Sequence, residues 1–408
     1  MTPTRARSSR PRVLFDLRWI RSARPDGIGR YALELFRALA ESDEGRSYEG
    51  LYRDEEIRSA VLGGLEESAS FVRAPHGLFS PANAIALTRV LRRRSCRFFV
   101  APNYLGFPAG RAPGTIRIAV VHDLIPWELP EARAGNLRWR VFYRCGFLGH
   151  RLLRAPDHLV AVSERTREAL VSRFGVERER ISVVPGAPSA LFQPEGEGDE
   201  AVLARIGLRA PYLLYVGRGD RHKNLGRLIE AHRRLPGALR ERFPLVIAGT
   251  DPGASDPLVR ALSGVSDAEL AALYRSAAFL VLPSLAEGFG LPLVEAFACG
   301  TPALVSRIAP LTEIGGEGAR FFDPENVDEI AVGLLAAIED DARREAMRRA
   351  ALERARAFTW EKSAGMFAEV LERLDRSSPE RREHPLPSAA VPRDARAPRR
   401  PRRWPWYN

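Results

Sequence analysis

Two series of strand-like apolar runs, each interleaved with helical patterns, constrain this chain more than any other feature. The first series is Val13–Asp16, Phe98–Val100, Ile116–Val121, His158–Val162 and Ile181–Val184. The second is Tyr212–Val216, Leu245–Gly249, Val259–Ser263, Phe279–Pro283, Thr301–Val305 and Arg320–Phe322. Alternation of this kind predicts an α/β fold with parallel sheets. Between the series lies the polar, glycine-rich stretch PEGEGDE (Pro194–Glu200), which reads as an interdomain linker. At 408 residues the chain also exceeds one ordinary hydrophobic core. The expected architecture is two doubly wound domains facing each other across a cleft, with ligands bound beyond the carboxyl ends of the strands.

The net charge of +11 suggests nucleic acid until it is located. Residues 1–12 carry four arginines and no acid, and residues 377–408 carry eight arginines against Glu380, Glu383 and Asp394. Nearly all of the excess therefore sits at the two ends, and the body presents no basic groove. The C-terminal stretch is rich in Pro, Ala and Arg, a composition that reads as a solvated tail. Cys96, Cys145 and Cys299 lie far apart with no C-x-x-C spacing, which predicts a reduced, cytoplasmic protein without disulfides or zinc. The basic start leads into an ordinary strand, so no signal peptide is expected. No run of apolar residues reaches the roughly 18 that a membrane span needs.

The segment FLVLPSLAEGFGLPLVEAFACG (Phe279–Gly300) carries the clearest chemistry. A strand ends at Pro283, a glycine loop follows, and a helix opens at about Leu291. Glu287 lies near the strand's carboxyl end, and Glu295 is the one charge in an otherwise apolar helix. A helix that is apolar all round is buried, and a buried carboxylate without partners is costly. Glu295 is thus expected to bind something. The Gly288–Phe289–Gly290 amides and the helix start at Leu291 make an anion cradle. For Glu295 alone, a helix-start acid favoured by the dipole is a respectable bland reading; for the whole constellation it is weak. A phosphorylated sugar fits the set.

Of the 62 Lys and Arg residues, only Lys223 and Lys362 are lysines. Lys223 lies in YLLYVGRGDRHKNLGRLIEAH, again strand, loop and helix, where a compact ammonium suits a point contact to phosphate. Arg218 in the same loop would add a bidentate contact. Two lysines are too few for statistics, so this supports the site without defining it. Gly27 and Gly29 form GIGRYA, superficially a dinucleotide fingerprint. Ten residues (Leu17–Asp26) separate them from the end of the first strand, so the tight strand–turn–helix geometry is missing. Close backbone approach to donor phosphate or acceptor is the better use of these glycines. His122 ends a strand and points into the expected cleft; Asp123 is read as capping or bracing it. The stretch Asn136–Arg154 mixes Arg with Trp139, Phe142, Tyr143 and Phe147, which suits either an anionic membrane surface or an ordinary core helix.

These motifs converge on one family. EGFGLPLVEAFACG resembles the E-x7-E segment of retaining family-4 glycosyltransferases, and YVGRGDRHKNLGRLIEA resembles that family's donor-phosphate loop. GVSDAELAALYRSA (Gly264–Ala277), PDGIGRY (Pro25–Tyr31), VVHDLIPW (Val120–Trp127) and VAVSERTREAL (Val160–Leu170) are similar to family segments in the same order. The resemblance spans roughly Val13 to Leu374. It implies GT-B architecture: a basic N-terminus (1–12), an acceptor domain (13–192), a linker (193–206), a nucleotide-sugar donor domain (207–358), a helix (359–376) packed back on the first domain, and a basic tail (377–408). It also implies a donor site made of Gly217, Arg218, Lys223, Val265, Glu287, Gly288, Phe289, Gly290, Leu291 and Glu295. Arg218 and Lys223 would neutralise the leaving diphosphate, Glu295 would hold the ribose, Glu287 the donor sugar, and His122 would serve the acceptor side. Gly27 and Gly29 would line the acceptor or phosphate loop.

No D-x-D element or metal constellation is evident, so metal-independent, retaining transfer without a cofactor is expected. HDLIPW and WEK look most like mannosyltransferase-type members, which makes GDP-mannose the first donor guess and UDP-glucose a second. The acceptor would be a glycan or a lipid-linked precursor of a surface polysaccharide, met in the cytoplasm or at the inner face of the membrane; no nucleic acid is expected as partner. Two features depart from the family. Only about eight residues (Thr250–Pro257) follow Gly249 before the next apolar run, where a parallel crossover usually needs a dozen or more, so a helix is expected to be trimmed or lost there. VVPGAPSALF (Val183–Phe192) lacks the asparagine often found before its glycine. Other readings are a sugar phosphorylase or sucrose-synthase-like enzyme, an NAD-dependent oxidoreductase favoured only by GIGRYA, and a membrane or nucleic-acid binder acting through the basic ends.

Overall fold

The computed structural model describes residues 11–108, 110–129, 142–143 and 146–377. The basic ends and most of the stretch 130–145, with Trp139 and Cys145, lie outside them. The first domain holds seven strands: β1 (Arg12–Asp16), β2 (Ser47–Tyr52), β3 (Ala69–Arg73), β4 (Phe98–Ala101), β5 (Ile116–Val121), β6 (His158–Ala161) and β7 (Ile181–Val183). The second holds six: β8 (Leu213–Val216), β9 (Leu245–Ala248), β10 (Val259–Leu262), β11 (Phe279–Leu282), β12 (Ala303–Ser306) and β13 (Ala319–Phe322). Every pairing is parallel. The orders are β3-β2-β1-β4-β5-β6-β7 and β10-β9-β8-β11-β12-β13. Both sheets reverse direction at one place, between β1 and β4 and between β8 and β11. Such switch points open a crevice at the carboxyl ends of the flanking strands.

The strands read as continuous apolar runs because helices cover both faces of each sheet. Val13 and Phe15 of β1 enter one core layer and Leu14 the other. In β8, Leu214 packs on one side while Leu213 and Tyr215 pack on the opposite side. The two strands missing from the sequence reading are β2 and β3, at the sheet's edge. SYEGLY carries Glu49 and Gly50, and ASFVR is only half-buried, so neither shows a clean apolar period. Glu49 is buried because Arg94 reaches it at 2.6 Å.

Two features of the boundary region differ from the expected linker. Within 193–206, residues Asp199–Arg205 form a helix that buries Leu203, and Arg275 grips Asp199 with two contacts of 2.6 Å. Phe192 belongs to the second domain's core, where its ring meets Tyr274 at 5.8 Å. The crossing between domains therefore falls before Phe192. Between β9 and β10 there is no helix, and the chain passes from one parallel strand to the next through loop and turn alone. This agrees with the short spacing after Gly249.

The helix Trp360–Arg376 returns to the first domain and closes its core with Ala364, Phe367 and Leu371. Trp360 packs edge-on to Tyr31 at 5.5 Å. Arg97 pairs with Asp375 at 2.5 Å, and Arg373 donates to Ser182 at 2.6 Å. Phe142 and Tyr143 pack on Trp127 with ring centroids 5.6 and 4.9 Å away. Cys96 and Cys299 are buried free thiols. Among the described residues, no helix is long and apolar enough to cross a membrane. Because Phe367 is fully enclosed, Phe367→Ala is expected to cost about 3–5 kcal/mol in urea unfolding. A loss below about 1 kcal/mol would show that the returning helix adds little to the first core.

Candidate active site

The two switch points face each other, and the residues singled out from the sequence gather there. The loop after β8 carries Gly217, Arg218 and Lys223, and the loop after β11 carries Glu287. Because β8 and β11 are neighbours, the ends of these loops meet. Lys223 Nζ donates to both carboxylate oxygens of Glu287, at 2.8 and 2.9 Å. Ser284, fully buried, donates to the same carboxylate at 2.7 Å. Arg218 does not join them. Its side chain is 83% exposed and pairs with Asp220 at 3.1 Å.

The loop Glu287–Gly290 touches the first domain directly. The Gly288 carbonyl accepts from Ser163 Oγ at 2.6 Å and from Thr166 Oγ1 at 3.3 Å. A Cβ on Gly288 would lie 2.0 Å from the His122 carbonyl oxygen and 2.8 Å from the Asp123 Cβ. Only glycine permits this approach. Phe289 packs on both domains and meets Phe358 at 5.9 Å. Gly290 has φ +111°, a backbone that side chains rarely adopt, and it starts the helix Leu291–Ala298. Pro292 has no N–H, and the Leu293 amide is bound to the Gly290 carbonyl at 2.9 Å. Of the helix-start amides this leaves Leu291, with those of Gly288, Phe289 and Gly290 ahead of it in the loop and the dipole behind them.

Glu295 is buried in that helix and is satisfied from two directions. Tyr274 donates its hydroxyl to Oε2 at 3.1 Å. Arg30, from the first domain, donates to Oε1 at 3.0 Å and to Asp267 at 2.8 Å. Its guanidinium also lies 5.9 Å from the Phe192 ring centroid. Burial pushes the Glu295 carboxyl up to about 7, and Arg30 and Tyr274 draw it back only in part. Arg30 stays charged, since its two carboxylates outweigh its own desolvation.

On the acceptor side, His122 Nε2 lies 2.8 Å from the Pro102 carbonyl. A carbonyl only accepts, so Nε2 carries the proton and Nδ1 holds the free lone pair. Tyr31 meets the imidazole edge-on at 5.0 Å. Burial lowers the imidazole to about 4, so it is neutral at pH 7. Asp123 Oδ1 caps the Ile125 amide at 3.1 Å. Burial raises its carboxyl to about 6, with the Glu287 charge across the cleft adding to the effect.

Gly29 donates its amide to Asp26 at 2.9 Å, which caps the helix Gly27–Ser42. A loop precedes this helix instead of the tight strand–turn–helix bend of a dinucleotide site. Val265 is half-buried and follows Gly264, whose carbonyl accepts from Arg24 of the first domain at 3.0 Å. The structure thus brings together Lys223, Glu287, the Gly288–Leu291 loop, Glu295 and His122, and leaves Arg218 in solvent. Sequence reasoning missed Arg30, Ser163, Tyr274 and Ser284; Asp123, read as capping or bracing, caps the Ile125 amide. The one available signal was Glu295 itself, a buried acid that needs a partner.

The raised Glu295 sets a pH signature. In the unfolded chain the carboxyl titrates at its ordinary value of 4.5, whereas the folded protein holds the proton up to about 7. Unfolding then releases a proton within that window, so stability falls as pH rises through it and levels off above it. Glu295→Gln removes this slope. Urea midpoints from pH 5 to 8 should show the wild type losing ground to the variant up to about pH 7; parallel profiles would count against the assignment.

Comparison with known proteins is consistent with this geometry. A model described as glycosyltransferase family 4 matches residues 25–187, and one described as glycosyl transferases group 1 matches residues 204–354. The chain is similar to O-antigen chain mannosyltransferase B of Escherichia coli, 29% identical over 366 residues, covering 82% of this chain and 93% of that protein. Among solved structures it resembles sucrose-phosphate synthase of Thermosynechococcus elongatus, with a TM-score of 0.72 at 20% identity over 90% of this chain and 100% of that one. It also resembles Anabaena HepE in complex with UDP-glucose, with a TM-score of 0.66 at 17% identity over 89% and 100%. The paired family models, one on each domain, and the two facing doubly wound sheets lead to one conclusion: the chain belongs to the family 4 glycosyltransferases and has the GT-B fold.

Proposed function

We propose that the protein transfers a mannosyl residue from GDP-mannose to a hydroxyl of a glycan or lipid-linked acceptor in polysaccharide biosynthesis, with retention and without a metal ion. The observation that carries this reading is the meeting of Lys223, Glu287 and the Gly288–Leu291 amides at the switch point of the second sheet. That crevice takes nucleotides in doubly wound folds. The choice of mannose rests on the likeness to the O-antigen mannosyltransferase. The UDP-glucose held by HepE supports a nucleotide-sugar donor and keeps UDP-glucose as the second candidate.

In this reading the acceptor oxygen attacks the anomeric carbon while the bond from that carbon to the phosphate oxygen breaks. The electron pair leaves with the diphosphate, and the acceptor proton passes to a phosphate oxygen on the same face. The protein's main task is to stabilise the charge that grows on the leaving group. Lys223 supplies an ammonium, the Gly288–Leu291 amides supply oriented dipoles, and Arg218 is free to fold in from solvent. Glu287 orients donor-sugar hydroxyls, and Glu295 receives the ribose. Neutral His122 accepts a sugar hydroxyl at Nδ1. The NAD reading loses its support, because the Gly29 amide caps its helix through Asp26. A lipid-linked acceptor would bring the protein to the inner face of the membrane, which co-sedimentation of the full chain with anionic vesicles checks.

Purified protein should release GDP from GDP-mannose in the presence of acceptor, and EDTA should leave the rate unchanged. Lys223→Met is expected to lower kcat on the order of a hundredfold, as loss of a transition-state charge contact does. Turnover with UDP-glucose alone would move the donor assignment. Loss of activity in EDTA with recovery in manganese would end the metal-free reading, and an unimpaired Lys223→Met would remove Lys223 from the site.

A further inference from the structure

The carboxylate assigned to the ribose is not waiting empty. Glu295 Oε1 is taken by Arg30, which reaches over from the helix Gly27–Ser42 of the opposite domain. The pair is nearly enclosed, with 15% of the Arg30 side chain and 5% of the Glu295 side chain exposed. Arg30 is held in that pose by a second carboxylate, Asp267, at 2.8 Å. Asp267 opens the helix that also carries Tyr274, the other ligand of Glu295. The guanidinium is therefore fixed by two acids of the donor domain.

A carboxylate so far from water must always have a donor, because leaving it unpaired forfeits its hydration without return. Two donors already sit on the carboxylate and only 5% of its side chain is exposed, so a ribose hydroxyl that reaches Oε1 from the cleft competes with the Arg30 N–H there. Donor binding at this point is an exchange, and its apparent strength is reduced by the fraction of time the carboxylate is free. We propose that Arg30 is a built-in competitor for the ribose carboxylate, displaced when the nucleotide binds. The inference rests on the donor-site reading above. Since Arg30 belongs to the first domain, the same exchange breaks one of the ties across the cleft and links ribose binding to release of the helix that opens with GIGRYA.

The test is calorimetric titration of the full chain with GDP, UDP and inorganic pyrophosphate at pH 8, where wild-type Glu295 is ionised, and again at about pH 9, because losing Arg30 raises that carboxyl further. Arg30→Met keeps the stem and removes the charge. It should tighten the nucleoside diphosphate that wild type binds by about 3- to 10-fold and leave pyrophosphate unchanged, since pyrophosphate does not need Glu295. Asp267→Asn, which loosens Arg30 from the solvent side, should act in the same direction by a smaller factor. Weaker binding of both nucleotide and pyrophosphate in Arg30→Met would make Arg30 a phosphate ligand and overturn the proposal; an unchanged nucleotide affinity would also overturn it. Glu295→Ala separates the two levels. If it weakens nucleotide binding while Arg30→Met has no effect, only the competitor role fails. If it too leaves binding unchanged, the donor-site reading itself has failed and the competitor role falls with it.

Discussion

A single buried carboxylate organises the centre of this molecule. Glu295 lies in an apolar helix that packs into the core of the donor domain, where an acid is tolerated only with partners at hand. Tyr274 supplies one from within the domain. The other comes from outside it, and that demand draws Arg30 across the cleft. Around this contact the rest of the closed arrangement falls into place, with Gly288 lodged against His122 and held by Ser163 and Thr166. The loop Glu287–Gly290 and the first domain meet through a backbone carbonyl and through the ring of Phe289, so the contact does not depend on a charged side chain of the loop.

The electrostatics of the site follow from the same enclosure. Glu287 shares Lys223 and a serine, whereas Asp123 faces it from the other domain with its own charge made expensive. His122 is kept neutral by burial and fixed in one tautomer by the Pro102 carbonyl. The cleft thus pairs a neutral acceptor surface with a donor surface where a cation already sits on an acid. Beside that pair stand the Gly288–Leu291 amides and Arg218, which is exposed and paired with Asp220.

Much of this was legible in the chain because the sheets are parallel and covered on both faces. The inner strands announce themselves as unbroken apolar runs, and a glycine loop followed by a helix start is a local pattern. The edge strand β3 and its neighbour β2 escaped because one Glu, one Gly and a half-wet surface blur the period. Glu295 stood out as a lone acid among apolar residues, and the need for a partner could be argued from that alone. The partner's identity could not, since Arg30 and Glu295 are brought together only by the packing of two domains. The same holds for Ser163, whose visible role was to start a helix, and for Arg218, whose loop left it in solvent.

The return of the last helix has a mechanical consequence. The chain passes between the two bodies once after β7 and again ahead of Trp360, and Phe289, Phe358 and Trp360 pack beside the second passage. Two bodies joined by two short straps keep one easy rotation, about the line through the straps, while splaying and sliding stretch one strap or the other. Any parting of the bodies is thereby reduced from a general separation to the swing of a door on two hinges.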